Sequence, residues 1–261
     1  MKTPRIMLAG TNSGCGKTTV TCAVLQALVN RRMKVGAFKC GPDYIDPMFH
    51  SRIIGAKSAN LDLHFFSENT LRYLLTRDAE TQDVSIIEGV MGYYDGMGLT
   101  NTRASSYEVA KATDAPVILV VNAKGASLSI LATIQGFLSF YPDNNIKGVI
   151  LNQCSPMTYE VLAKAIEDRF GIRAFGYLPK MADCALESRH LGLVTAAEVE
   201  NLREKLQIMA QQAERTIDLD GLLTLAREAD EISCKPVVLP QQEKVCIAVA
   251  RDNAFCFYYE D

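Results

Sequence analysis

Short apolar runs alternate along this chain with longer stretches in which apolar residues recur every three or four positions. The runs at 5–9, 34–38, 84–87, 117–121, 147–151 and 173–177 are apolar on consecutive positions and rich in β-branched residues. That pattern predicts strands covered on both faces rather than the half-exposed strands of hairpins. Helical spacing predicts helices at 17–31, 67–76, 104–113, 127–140 and 158–170, with two more at 196–213 and 219–229. The alternation implies an α/β fold, a doubly wound and mostly parallel sheet with helices on both faces.

The pattern changes after Glu231. Residues 232–244 carry two prolines and no helical period, and they read as a linker. A new apolar strand is predicted at 245–250, followed by an aromatic-rich stretch at 254–259. One reading is a last strand that closes the sheet, with a frayed tail. The other, which is the expectation here, divides the chain into a domain at 1–231, a linker at 232–244 and the start of a truncated second domain at 245–261.

Composition narrows the function classes. With 261 residues, 48% hydrophobic and 22% charged, the chain is long enough to bury a core without disulfide or metal staples. A net charge of −3 with no basic run argues against nucleic acid as a partner. The eight cysteines form no CxxC pair, which argues against a zinc ribbon or a thioredoxin-like site; reduced, buried thiols are expected. The first residues show no signal-peptide pattern and no apolar run is long enough to span a bilayer, so a cytoplasmic protein without a membrane partner is expected.

The strongest chemical signal is Gly10-Thr11-Asn12-Ser13-Gly14-Cys15-Gly16-Lys17-Thr18-Thr19, between the first predicted strand and helix. A glycine-rich turn brings several backbone N–H groups onto a phosphate, and the positive end of the following helix adds to them. Lys17 would reach the β- and γ-phosphates of ATP, and the Thr18 hydroxyl would ligate Mg²⁺. The usual GxxxxGK[ST] spacing has its first glycine at position 11, where Thr stands; Gly10 comes one residue early. Position 11 also lacks the second lysine of the deviant P-loops found in partitioning ATPases.

Two further clusters follow strand ends. In Lys39-Cys40-Gly41-Pro42-Asp43-Tyr44-Ile45-Asp46-Pro47, the two aspartates could hold Mg²⁺, orient a substrate group or simply make turns. Glu88 ends the strand at 84–87 and sits where a second Mg²⁺ anchor is expected opposite a P-loop. The glycines at 89, 92 and 96 allow the loop after it to approach a ligand. Asn152, at another strand end, could read a nucleobase edge or cap a turn. Arg189 and His190 side by side could bind a carboxylate or merely decorate the surface. His50 and His64 show no metal-ligand spacing.

Taken together, GTNSGCGKTT at 10–19, KCGPDYIDPMFH at 39–50, EGVMGYYDG at 88–96 and SRHLGL at 188–193 resemble the cobyrinic acid a,c-diamide synthase family, the glutamine-dependent amide ligases of corrin biosynthesis. The resemblance covers essentially the whole chain, and residues 248–259 are similar to the opening of that family's glutaminase domain. It implies a P-loop NTPase-like fold of the dethiobiotin-synthetase kind. The implied reaction is ATP-dependent amidation of the a- and c-acetates of cobyrinic or hydrogenobyrinic acid through an acyl phosphate. Ammonia would come from glutamine through the missing domain, or be supplied free.

The resemblance also implies site roles. Lys17, Asp43 and Glu88 would be catalytic, with Thr18, Asp43 and Glu88 on Mg²⁺. Residues Thr11, Asn12, Ser13, Gly14, Cys15, Gly16, Lys17, Thr18 and Thr19 would bind ATP, flanked by Asn152 and Pro179. Lys39, Tyr44, Asp46, Tyr93 and Asp95 would lie near the tetrapyrrole, whose carboxylates would meet Ser188, Arg189 and His190. A homodimer is the implied assembly. The segment 122–125 departs from the family's Asp-led pattern, so no role is assigned to it. Rival readings are amidation of a nickel sirohydrochlorin by a related synthase, and a P-loop switch that controls partner docking.

Overall fold

The computed structural model describes residues 2–181, 184, 196–237, 246–252, 255 and 258, with backbone only at 196–200. β1 (Arg5–Gly10) passes through the glycine-rich turn into α1 (Lys17–Asn30), and β2 (Val35–Cys40) follows. A short helix α2 (Ile45–Phe49) runs into a π-helical turn, His50–Ile54, and then β3 (Lys57–Leu61) and α3 (Glu68–Ala79). The alternation continues through β4 (Val84–Glu88), α4 (Ser106–Ala112), β5 (Val117–Asn122), α5 (Ser129–Phe140), β6 (Ile146–Asn152), α6 (Pro156–Phe170) and β7 (Arg173–Leu178). Two helices, α7 (Ala196–Thr216) and α8 (Leu219–Arg227), complete the described elements.

The seven strands form one sheet in the order β3-β2-β4-β1-β5-β6-β7, parallel throughout. Strand residues alternate between two apolar layers, as the period of two demands. Ile6, Leu8, Ile86, Ile118 and Val120 face α1, α7 and α8. Met7, Ala9, Ile87, Leu119 and Val121 face the layer built with α3 to α6. Arg5 is wholly buried between β1 and its surroundings, its guanidinium donating to the carbonyls of Thr113 (2.7 Å), Thr3 (2.9 Å), Asp114 (3.1 Å) and Asp230 (2.8 Å). Burial lowers its pKa to about 10.

The six strands predicted before residue 231 are all present. β3 escaped prediction because Lys57, Ser58 and Asn60 break the apolar run; at the sheet edge the strand is covered only at its end. Residues 246–250 are exposed and form no strand, contrary to the apolar pattern, since no described strand lies beside them to share hydrogen bonds. The expectation of buried thiols holds for Cys15, Cys22, Cys40, Cys154 and Cys184; Cys246 is exposed. No described helix is long and apolar enough to cross a membrane.

Candidate nucleotide site

The carboxyl ends of β2, β4 and β1 are neighbours in the sheet, so the three loops that follow them converge. The loop after β1 is shaped by Gly14 and Gly16, both left-handed (φ 80° and 96°). A Cβ at Gly16 would also overlap the Asn152 side chain. The hydroxyls of Ser67, Ser105 and Ser155 cap α3, α4 and α6. The start of α1 has no side-chain cap, and its N-cap is Gly16. Its leading N–H groups are therefore open to an anion, with the helix dipole behind them. Lys17, the first helical residue, is mostly buried, and its ammonium donates to the Met91 carbonyl at 2.5 Å. Burial lowers its pKa.

The parallel register pairs Lys39 with Glu88 across β2 and β4, which puts both side chains on the α1 face of the sheet. Glu88 Oε1 accepts from the Thr18 hydroxyl at 2.6 Å and from Lys39 Nζ at 3.0 Å. Lys39 also pairs with Asp46 at 2.6 Å, while Asp43 Oδ2 stands 4.0 Å away. His50 Nε2 faces Glu88 Oε2 at 3.4 Å. Glu88, Lys39 and Asp46 are all buried. Burial works against their charges, and the cluster overrides it in two of three cases. Lys39, His50 and Thr18 hold the Glu88 carboxyl well below the usual carboxylate range, and the carboxylates hold Lys39 above the usual lysine range. Asp46 is pushed up to about 6 by burial and by Glu88, against the pull of Lys39.

The structure thus brings Lys17, Thr18, Glu88, Lys39, Asp43 and Asp46 to one end of the sheet. Asp43, expected as a metal ligand with Glu88, has its Oδ1 accepting from the N–H groups of Ile45 (2.9 Å) and Asp46 (3.2 Å) at the start of α2, while Lys39 stands between its Oδ2 and Glu88. Tyr93, expected at the ring, lies instead in the core: it is fully buried, and its hydroxyl donates to the Asn144 carbonyl. Its ring packs tilted against Tyr94 and edge-on against Tyr107, which accounts for that placement. Asp95 is exposed, and its carboxylate caps the loop by accepting from Gly92 N–H at 2.8 Å.

Asn152 is buried, with its amide donating to the Cys15 carbonyl at 3.0 Å, so it braces the phosphate loop from β6. Pro179 follows β7 directly. Tyr44 is half-buried and lines an open concavity of about 360 Å³ with Cys40, Pro42, Asp43, Ile45 and Val90. Ser188, Arg189 and His190 lie outside the described residues. Two contributors had no signal in the sequence. Asn60 on β3 donates to the carbonyls of Gly41 (2.9 Å) and Asp43 (2.7 Å), and Ser106 bonds both backbone polar groups of Val90.

The arrangement suits a nucleotide. An uncapped helix start and a lysine cradle phosphates, and Thr18 with Glu88 supplies hard oxygen donors next to them. Among the described residues Glu88 Oε2 is buried without a hydrogen bond, as fits a carboxylate able to serve a cation. No trio of His, Cys, Asp and Glu among the described residues is disposed to hold a metal alone. A cation here would draw its remaining ligands from phosphate and water.

Comparison with known proteins agrees with this geometry. The model of the CobQ/CobB/MinD/ParA nucleotide binding domain matches residues 6–194. The chain belongs to that family. It is 42% identical to the cobyrinate a,c-diamide synthase of Thermoplasma volcanium over 100% of this chain and 57% of that protein. It is 40% identical to the synthase of the same name from Streptococcus sanguinis, over 98% of this chain and 57% of that protein. The chain therefore spans a little over half the length of these relatives. Among solved structures, the MinD cell division protein of Aquifex aeolicus superposes with a TM-score of 0.51 at 17% identity, covering 88% of this chain and 99% of that one. The signal recognition particle receptor FtsY of Elizabethkingia anophelis gives 0.51 at 16% identity, covering 79% of this chain and 66% of that one. At those identities the likeness is one of fold, a P-loop NTPase sheet.

Proposed function

We propose that this chain is the ATP-dependent synthetase part of a cobyrinate a,c-diamide synthase. One observation carries the reading: identity of about 40% to proteins of that name runs along essentially the whole chain. The shortfall in length against those relatives supports a glutaminase domain beyond a linker at 232–244, with 245–261 as its opening. Cobyrinic or hydrogenobyrinic acid would be the tetrapyrrole substrate, and the chain would act in the cytoplasm.

A carboxylate is a poor electrophile, so amide formation needs its oxygen turned into a leaving group. The substrate carboxylate attacks the γ-phosphorus of ATP, releasing ADP and leaving an acyl phosphate. Ammonia then attacks the carbonyl carbon, inorganic phosphate departs, and a proton is lost from nitrogen. Such transfers need in-line positioning and charge neutralisation rather than a protein nucleophile. The residues at 11–19 would bind the phosphates through backbone N–H groups, and Lys17 would exchange the Met91 carbonyl for phosphate oxygens. Thr18 and Glu88 would hold Mg²⁺, which when bound offsets phosphate charge.

Lys39 keeps Glu88 ionised and links it to Asp46 and Asp43, and so joins the ring-side loop to the metal carboxylate. The apolar wall of Pro42, Tyr44, Ile45 and Val90 would take the face of a macrocycle. Asp95, Ser188, Arg189 and His190 would contact its polar rim, and Asn152 and Pro179 would flank the adenine.

The test is ADP release with Mg-ATP and ammonium chloride, with and without cobyrinic acid. Stimulation by cobyrinic acid, with product masses matching one and two amides, is the expected result. ATP turnover or binding indifferent to any corrin would sink the ligase reading and leave only the nucleotide site. Stimulation by nickel sirohydrochlorin alone would reassign the substrate.

A further inference from the structure

The nucleotide reading leaves one buried group beside Glu88 without a role. His50 is fully buried, and neither of its ring nitrogens makes a hydrogen bond to a described residue. Glu88 Oε2 is buried with none either. These two orphans face each other at 3.4 Å. Buried polar atoms are nearly always paired, and a ring here with no polar duty would be better filled by Phe or Leu.

The backbone fixes where that ring sits. His50 opens the π-helical turn, and its carbonyl accepts from the N–H of Gly55 and, at 3.0 Å, of Ala56. Gly55 closes the turn in the left-handed region (φ 84°), while Phe49 and Ile54 anchor both ends in the layer beneath α1. Single π turns of this kind recur at functional sites. The side chain that opens this one faces Glu88.

We propose that His50 is a positioning residue for Glu88, donating from Nε2–H to Oε2. With Thr18 and Lys39 on Oε1, the carboxylate is then held at three points and aimed at the cation beside Thr18. The functional half of this inference rests on the assignment of Glu88 to a nucleotide-bound cation; the hydrogen bond itself does not. Partners that orient a ligating carboxylate typically govern metal affinity by ~10- to 100-fold.

The test uses Mn²⁺ binding to the whole chain in the presence of a non-hydrolysable ATP analogue, read by electron paramagnetic resonance of free Mn²⁺. His50→Leu, which keeps the volume, should weaken Mn²⁺ binding by ~10- to 100-fold, whereas His50→Gln, with an amide N–H near the Nε2 position, should restore most of it. Affinity within about twofold of the parent in His50→Leu would overturn the proposal. A second measurement does not depend on any variant being stable or on the cation: the ring ¹⁵N spectrum of the parent chain, which has only three histidines. A hydrogen on Nε2 of His50 is expected, and a tautomer protonated at Nδ1 alone refutes the bond. If the parent binds no Mn²⁺–nucleotide at all, the nucleotide reading fails by itself, and the tautomer still decides the His50–Glu88 contact.

Discussion

Replacing Lys39 with Met removes the buried ammonium while keeping most of the side-chain stem. Its nitrogen stands 2.6 Å from Asp46 and 3.0 Å from Glu88. At an effective dielectric constant of about 20, each attraction is about 5–6 kcal/mol. Desolvation of the three charges and repulsion between the carboxylates offset much of that. Removing one partner from such a buried cluster costs about 3–5 kcal/mol net. In a domain of this size the unfolding midpoint should fall by about 6–20 °C.

The loss carries a pH signature. In the parent, the depressed pKa of Glu88 stabilises the fold above its unfolded value of about 4.3, and this is lost as pH falls. Asp46 works in the opposite sense: its raised pKa of about 6 stabilises most below its unfolded value and is lost as pH rises through 6. Without Lys39 the Asp46 carboxyl is raised further, and Glu88 loses its largest downward pull, leaving His50 and Thr18 alone against burial and mutual repulsion. The deficit of Lys39→Met should therefore be greatest at about pH 8 and shrink towards pH 5. Urea unfolding in EDTA, followed by far-ultraviolet circular dichroism since the chain has no Trp, measures this directly. A deficit below about 1 kcal/mol at the higher pH, or one that grows on acidification, would refute the reasoning. The double variant Lys39→Met/Glu88→Gln should cost less than the sum of the two single changes.

Glu88→Gln keeps the shape but removes the charge, so Mg²⁺-dependent ATP turnover should drop on the order of a hundredfold; unchanged turnover would mean that the carboxylate does not serve the metal. Arg5→Ala removes the donor to four carbonyls, those of Thr3 and Thr113 buried and those of Asp114 and Asp230 only partly so, and should destabilise by about 3 kcal/mol in denaturant titration, while the folded fraction keeps its nucleotide affinity. Tyr93→Phe should cost only about 0.5–1.5 kcal/mol through the lost bond to Asn144 and leave the KM for corrin unchanged. A tenfold rise in that KM would instead return the residue to the substrate site.

Reading the chain alone went furthest where chemistry is local. The strands of a parallel sheet are apolar on both faces, so six of the seven announce themselves as continuous runs, and the glycine-rich turn between a strand and a helix identifies a phosphate loop by its own geometry. Glu88 was legible too, because a charge that ends an apolar strand needs a reason to be there. Those features are encoded within about ten neighbouring residues.

Tertiary structure decided everything that depends on register between strands. The family resemblance implies a substrate contact at Lys39; only the β2–β4 pairing sets it against Glu88 and makes it the cation that holds three carboxylates together. Tyr93 and Asp95 look equivalent two residues apart, yet one enters the core and the other caps an exposed loop, since burial depends on which layer lies over each position. Asn60 lies in no motif, and nothing within the KCGPDYIDPMFH run singles out His50, its last residue. Their positions come from a π turn and a polar edge strand, neither of which has a hydrophobic period, and their meaning comes from residues far along the chain. Hydrophobic spacing determines that a sheet forms and where its loops emerge, because it acts through short-range periodicity. Which side chains meet above those loops is set by long-range packing, which no local pattern encodes.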